Sequence, residues 1–194
     1  MKKRSIAAGC AAAILSGGLC CLGIFSVRAA EQKKQETAET ESDSMQTELS
    51  EDGSQLKIFD LSLPVPEGMD FQVFDEDGIE IATAVAGDLR IFLSAGETEA
   101  VEGSLGELSE EEQKAYQELV NQTIVPYESW IEELGDFTYL VNLYSSQEPS
   151  GTSLVLSTVS DGICYSIAGY VNDRVLTEDE AQLLTSLAVM LKEG

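Results

Sequence analysis

The stretch from Phe137 to Val171 reads FTYLVNLYSSQEPSGTSLVLSTVSDGICYSIAGYV and contains three apolar runs separated by short polar segments. The runs FTYLVNLYSS, SLVLSTVS and ICYSIAGYV are rich in the β-branched and aromatic residues that are typical of strands. Asp161 and Gly162 lie between the last two runs, and an Asp-Gly pair favours a tight hairpin turn. This stretch therefore predicts three consecutive strands, the last two joined at Asp161-Gly162.

Two helices are predicted on either side of these strands, each with a capping box at its start. Ser109 and Glu112 mark the start of the first helix, which Pro126 interrupts, and Thr177 and Glu180 mark the start of the second. The second helix is predicted to direct an apolar stripe toward the core, formed by Ala181, Leu184, Ala188 and Leu191.

The N-terminal half of the domain predicts further strands. LKIFDLSL is interpreted as one strand with Phe59, Leu61 and Leu63 on one face, and FQVF and IEIATA as a hairpin. DLRIFLSA, from Asp88, predicts a strand that a loop, GETEAVEGSLGEL, follows. YESWIEELG is interpreted as a short helical piece, with Trp130 as a core cap or, alternatively, a ligand platform beside Tyr127.

Two phrases raise a family resemblance. LSLPVPEGMDFQV near the start, and DGICYSIAGYV followed by a helix carrying LLTSLAVML at the end, resemble PsbP-like domains. The resemblance implies an α+β fold for residues 56–194: a three-layer α/β/α sandwich with a central antiparallel sheet of about six to seven strands and a C-terminal helix. It implies binding and scaffolding rather than catalysis, and it assigns no functional residue.

The N-terminus predicts export. Lys2, Lys3 and Arg4 precede an uncharged run from Ile6 to Val27, which is the pattern of a membrane-insertion signal. Residues 1–29 are interpreted as a signal peptide cleaved before Ala30. Because the run reaches the length of about 20 residues that spans a bilayer, an uncleaved anchor stays open, as does a lipoprotein attached at Cys10. Each alternative places the rest of the chain outside the cytoplasm.

Residues 30–55 are predicted to form an acidic tether without a fold of their own. They carry eight acids against two lysines and almost no large apolar side chains, so they bury too little surface to offset the entropy of ordering. Residues 56–194 then have the length of one globular domain.

Charge and residue usage exclude several functions. The chain has 35 Asp and Glu against 11 Lys and Arg, a net charge of −24, which excludes nucleic acid as a partner and argues against direct docking on anionic lipid. It has no histidine, which removes every histidine-dependent triad and zinc site. Cys164 is the one cysteine after the leader and is interpreted as a small strand residue. No cofactor is expected.

The segment FDEDGIE gives the one candidate metal site, at Asp75 and Asp77. Gly78 fits the glycine of a calcium-binding EF-hand loop, but Val73 and Ala84 occupy two of the positions that need oxygen ligands. The hairpin turn is therefore the favoured interpretation of Asp75 and Asp77.

Three function classes follow from these observations. The first is a non-catalytic interaction or scaffolding module that binds an unknown cell-envelope protein and reaches the membrane only through its N-terminal segment. The second is a weak calcium-dependent binding protein, and the third is a hydrolase that uses carboxylates alone. The sequence favours the first.

Overall fold

The computed structural model describes residues 47–76, 79–147 and 150–194 of the chain. The predicted leader and most of the predicted tether lie outside these ranges. The described part contains a seven-stranded and a four-stranded sheet, both antiparallel, with two α-helices and a short 3-10 helix. Neither helix in these ranges is long and apolar enough to cross a bilayer. The predicted mixed α/β class is confirmed.

The elements follow one another along the chain in an order close to the predicted one. The strands are β1 Thr47–Leu49, β2 Gln55–Ile58, β3 Leu61–Pro64, β4 Gln72–Glu76, β5 Ile79–Ala86, β6 Leu89–Glu97, β7 Glu128–Leu134, β8 Phe137–Gln147, β9 Ser150–Ser160, β10 Ile163–Asn172 and β11 Lys192–Glu193. The helices are α1 Glu110–Asn121 and α2 Glu178–Met190, and the 3-10 helix is Leu105–Glu107.

The three strands predicted from Phe137 to Val171 are confirmed as β8, β9 and β10. They are neighbours in the seven-stranded sheet, whose order is β4-β5-β6-β10-β9-β8-β7. Asp161 (φ 49°) and Gly162 (φ 77°) form the two-residue turn between β9 and β10, and positive φ at both positions suits the twist of a hairpin. The β4–β5 and β6 predictions are confirmed as well.

Both predicted helices are confirmed, and they contact different clusters of apolar side chains. Leu184, Leu187 and Ala188 of α2 belong to the main core, which also contains the buried residues of β2 and β3 and one face of the large sheet. Tyr116 of α1 packs in a second cluster with Leu140. Leu140 follows Tyr139 of the main core along β8, and successive strand residues point to opposite faces. The two helices therefore contact opposite faces of the sheet.

The single strand predicted for LKIFDLSL is wrong. The segment is a hairpin in which β2 pairs with β3, and the chain reverses at Phe59, whose φ is 54°. Leu61 and Leu63 are buried, but Phe59 is only partly buried. Four apolar residues of β2 and β3 enter the core because the hairpin presents the alternate residues of both strands to it: Leu56, Ile58, Leu61 and Leu63.

The boundary between tether and domain also needs correction. The folded part extends back at least to Thr47, because β1 pairs antiparallel with β2 from Thr47 to Leu49. Thr47 is buried, and Leu49 packs against the main core. Composition alone missed β1 because its strand structure comes from pairing with β2 rather than from apolar residues of its own.

Residues 127–135 do not form the predicted helical piece. Glu128–Leu134 is strand β7, which pairs with β8 along all seven of its residues. Pro126 disfavours a helical conformation for the residue before it, so the chain enters the segment extended. Pairing with β8 then decides the structure. Trp130 consequently is not a core cap, and 38% of its surface is exposed.

Candidate protein-interaction edge

The acidic tip predicted as a possible metal site is only partly described. Asp75 lies on β4 opposite Glu80 of β5, in the hairpin that the turn interpretation requires. Asp77 and Gly78 lie outside the described residues, so the pair Asp75–Asp77 stays a prediction. Within the described ranges, no three or more His, Cys, Asp or Glu side chains are grouped in a way that could hold a metal ion.

Cys164 lies on β10 and packs against the second apolar cluster. Burial raises the pKa of its thiol, although hydrogen bonding with Tyr116 and Ser166 acts in the opposite direction. The thiolate, which is the nucleophile, is therefore scarce at neutral pH. The chain has no histidine to deprotonate the thiol, so Cys164 fits the predicted role of a small strand residue.

Strand β7 is one of the two outer strands of the seven-stranded sheet, the other being β4, and exposed apolar side chains are concentrated at and just before it. It is the last strand of the seven-stranded sheet, and among the described residues no strand pairs with its outer side. Alternate backbone N–H and C=O groups of such an edge strand point away from the sheet and can pair with another chain. Leu134 is the only buried residue of β7, whereas the first six residues are exposed or half-buried.

The side chains of β7 follow an alternating pattern. Trp130 lies opposite Val141 of β8, a main-core residue, and therefore stands on the face that carries the main core. Glu128 and Glu132 occupy the same face two residues away on either side, and all three side chains are exposed. The indole Nε1 donates a hydrogen bond to Glu132 Oε2 at 2.9 Å, which orients the ring along the strand.

Helix α1 holds β7 in place from the opposite face. Gln117 Nε2 and Asn121 Nδ2 donate hydrogen bonds to Ser129 Oγ at 2.8 and 2.9 Å. Ile131, two residues further along β7 on the same face, packs against the cluster that contains Tyr116 of α1. These contacts fix one face of β7. On the other face Trp130 stays 38% exposed, and among the described residues no strand pairs with the outer edge.

Two further apolar side chains extend the exposed surface at the start of β7. Val125 is 83% exposed and Tyr127 is 74% exposed, and both lie in the segment that connects α1 to the strand. Exposed apolar residues scattered singly are normal on a protein surface. Here Val125, Tyr127 and Trp130 fall within six consecutive residues beside a sheet edge.

An acidic cavity of about 380 Å³ lies beyond the other end of β7, around the turn to β8. Hydroxyl side chains, among them Thr138 and Ser160, also line it. Asp136 of this cavity forms an ion pair with Lys192 at 3.1 Å. The cavity has four carboxylates from three segments of the chain: Glu107, Glu133 and Asp136 of the β7–β8 hairpin, and Glu193. Together with Glu128 and Glu132, they make the surroundings of β7 strongly negative.

The sequence contained one signal for β7 that the helical interpretation passed over. Gly135-Asp136 separates two runs of strand-forming residues, and a Gly-Asp pair in that position is typical of a two-residue hairpin. Gly135 has a φ of 63°, as such a turn requires. The alternative interpretation of Trp130 and Tyr127 as a binding platform agrees with their exposure better than the core-cap interpretation does.

The chain matches no family model. No curated protein matches it either. Among solved structures, it is similar to a crystal structure from Bacteroides thetaiotaomicron VPI-5482, with 14% sequence identity and a TM-score of 0.46. That match covers 70% of this chain and 45% of the other, so this chain spans less than half of the length of that protein. The resemblance to PsbP-like domains stays a prediction.

Proposed function

We propose that this chain is an exported, non-catalytic protein-interaction module that binds a cell-envelope protein through the β7 edge. The single observation that carries the proposal is the edge strand β7, on whose outer side no strand of the described ranges pairs, together with three exposed apolar side chains at or just before it, Val125, Tyr127 and Trp130. Edge strands and exposed aromatic residues are common elements of protein recognition.

Residue usage and the N-terminus supply further support. The absence of histidine and the raised pKa of the Cys164 thiol disfavour nucleophilic catalysis. The N-terminal signal pattern supports export, with the body of the protein outside the cytoplasm. A three-layer sandwich of the PsbP-like kind is the finer fold that accompanies this proposal, and the placement of α1 and α2 on opposite faces of the sheet supports it.

Site-specific photo-cross-linking in cells that make the full chain tests this proposal. A photoreactive phenylalanine derivative replaces either Tyr127 or Trp130, and the matched control carries it at Val175, which is 72% exposed in the loop before α2. We expect a discrete adduct with an envelope protein from position 127 or 130 and none from position 175. Equal labelling from all three positions, or none from 127 and 130, would contradict the proposal.

A further inference from the structure

We propose that β7 binds an extended segment of its partner as an added strand, and that this segment carries basic residues on both sides of a central apolar residue. The inference deepens the proposed function and rests on it. It specifies both the mode of binding, which is backbone pairing along the sheet edge, and the chemistry of the partner.

The backbone of β7 favours binding by strand addition. The strand is seven residues long, and its pairing with β8 holds it extended over its full length. An incoming strand therefore meets a preformed row of hydrogen-bonding groups and does not have to order β7. Ser129 accepts hydrogen bonds from two side chains of α1, and these bonds restrict the movement of β7.

The side chains of β7 indicate which residue types the partner segment carries and how they are spaced. Glu128, Trp130 and Glu132 are two residues apart on one face, so the residues opposite them on an added strand are also two apart. Directly opposite residues on neighbouring strands interact, and pairs of opposite charge stabilise the pairing by about 0.2–1 kcal/mol each. The complementary segment has Lys or Arg opposite each glutamate and an apolar residue opposite the indole.

The negative charge of β7 disfavours a second copy of this chain as the molecule that binds to this edge. Two β7 edges paired with each other would bring glutamates close to glutamates, and like charges that face each other across strands are destabilising. Three carboxylates of the neighbouring cavity add to this repulsion, those of Glu107, Glu133 and Glu193. Acidic residues on an edge strand prevent self-association. The same residues attract a basic strand, most strongly at low ionic strength.

A peptide panel tests the inference with the full purified chain. The probe is a fluorescein-labelled seven-residue peptide with arginine at its second and sixth positions, isoleucine at the fourth and threonine elsewhere. One control peptide has glutamate at both arginine positions, and another has the same composition with the two arginines adjacent at one end. We expect the alternating basic peptide to bind at least about tenfold more tightly than either control.

Backbone methylation separates strand addition from general attraction between opposite charges. Two further peptides carry N-methyl groups on alternate amides, one set for each edge of the peptide. The set that faces β7 removes the donors needed for pairing, so we expect one methylated peptide to lose binding and the other to keep it. Equal binding of both methylated peptides would contradict strand addition.

A pair of charge-reversal variants locates the site. The double variant Glu128→Lys with Glu132→Lys is expected to bind the arginine peptide about tenfold or more weakly than the wild type, and to bind the glutamate peptide more tightly. The matched control, Glu97→Lys with Glu99→Lys, makes the same change in net charge at the end of β6, four strands away, and is expected to bind like the wild type. Equal weakening by both variants would overturn the inference.

The outcomes separate this inference from the function on which it rests. If positions 127 and 130 cross-link to a native protein but no basic peptide binds, the interaction function stands and the basic-strand chemistry is wrong. If the peptide binds as expected but the native cross-links are missing, β7 can add a strand and the proposed native role is wrong. A wild-type dimer that the arginine peptide dissociates would identify a second copy as the occupant and contradict the inference.

Discussion

At the residue scale, Trp130 shows how position changes the role of a side chain. An indole in a core contributes through burial, but Trp130 lies on an edge strand and keeps 38% of its surface exposed. Its Nε1–H is engaged by Glu132, so the ring is oriented before any partner arrives. An aromatic side chain held in this way loses little entropy on binding.

The start of α2 allows a test at the same scale, in which the pH dependence has a definite sign. Arg174 Nη2 lies 2.6 Å from Glu180 Oε1, and Thr177 N–H donates to Glu180 Oε2 at 2.9 Å. The hydrogen bonds from Arg174, helped by those from Thr177, hold the pKa of Glu180 at about 2, compared with 4.5 for an ordinary glutamate. The stabilisation is therefore full above about pH 5 and is lost as the pH falls toward 2.

We expect Glu180→Gln to lower the free energy of unfolding at pH 7 by about 1 kcal/mol, because it removes the negative charge that pairs with Arg174, while the amide oxygen of Gln can still accept the capping-box hydrogen bond from Thr177 N–H. The difference from the wild type should shrink steadily between about pH 5 and pH 2, as the wild-type carboxylate becomes protonated. Urea unfolding of both proteins at several pH values measures this difference in the free energy of unfolding. A difference that stays constant over this range would show that Glu180 acts through packing and not through its charge.

At the element scale, the end of α2 rests directly on the turn between β7 and β8. A Cβ atom on Gly135 would come within 2.7 Å of Val189 O in the last turn of α2. The Tyr139 hydroxyl, one strand away, donates a hydrogen bond to Ala188 O at 3.0 Å and so satisfies a carbonyl near the end of α2. The helix and the hairpin therefore position each other, and the hairpin includes β7.

We expect Gly135→Ala to destabilise the domain by at least about 2 kcal/mol, since the strain of a positive φ adds to the clash with Val189. Gly87→Ala is the matched control: its φ is 62°, but a Cβ there meets no atom within 4 Å, so only the conformational cost of about 1 kcal/mol applies. Denaturant unfolding of both variants measures the difference. Equal costs would show that α2 does not rest on Gly135.

Strand β1 provides a second test at this scale. A chain that begins at Thr47 keeps β1, whereas a chain that begins at Ser50 loses it together with the packing of Leu49. We expect the shorter chain to be less stable by about 1–2 kcal/mol, because it loses apolar burial and the β1–β2 hydrogen bonds. Equal melting temperatures would restore the predicted domain start at residue 56.

The elements that sequence predicts correctly are those with local signals. Helices α1 and α2 have capping boxes, and Asp161-Gly162 is a turn pair that joins two apolar runs. Strand β1 was missed because its structure depends on pairing with β2. The prediction for β7 missed the hairpin signal at Gly135-Asp136, and the residues of β7 itself become a strand through pairing with β8. The candidate site depends on strand order, which places β7 at the sheet edge, and no residue within β7 specifies that position.

At the scale of the whole molecule, negative charge dominates. The sequence has a net charge of −24, and its acids repel one another most strongly at low ionic strength. This repulsion opposes both folding and self-association. The same negative charge attracts positively charged molecules to the chain, which agrees with a basic partner for β7.

We expect monovalent salt to raise the melting temperature, because screening relieves this repulsion. Calcium at matched ionic strength should add little if Asp75 and Asp77 flank only a turn. A calcium site specific to the folded state would add about 2.7 kcal/mol at a hundredfold excess over its Kd. Paired thermal melts measure this, and a calcium-specific rise that Asp75→Asn with Asp77→Asn abolishes would favour the calcium-dependent alternative.

Hydrogen exchange of the β7 amides, resolved residue by residue, tests the central claim most directly. In the free protein, alternate amides from Glu128 to Leu134 face water at the sheet edge and should exchange quickly, while those bonded to β8 exchange slowly. Saturation with the alternating arginine peptide is predicted to slow the fast set about tenfold or more, because these N–H groups become donors to the added strand. Unchanged exchange along β7, with protection at another place in the chain, would contradict recognition at this edge.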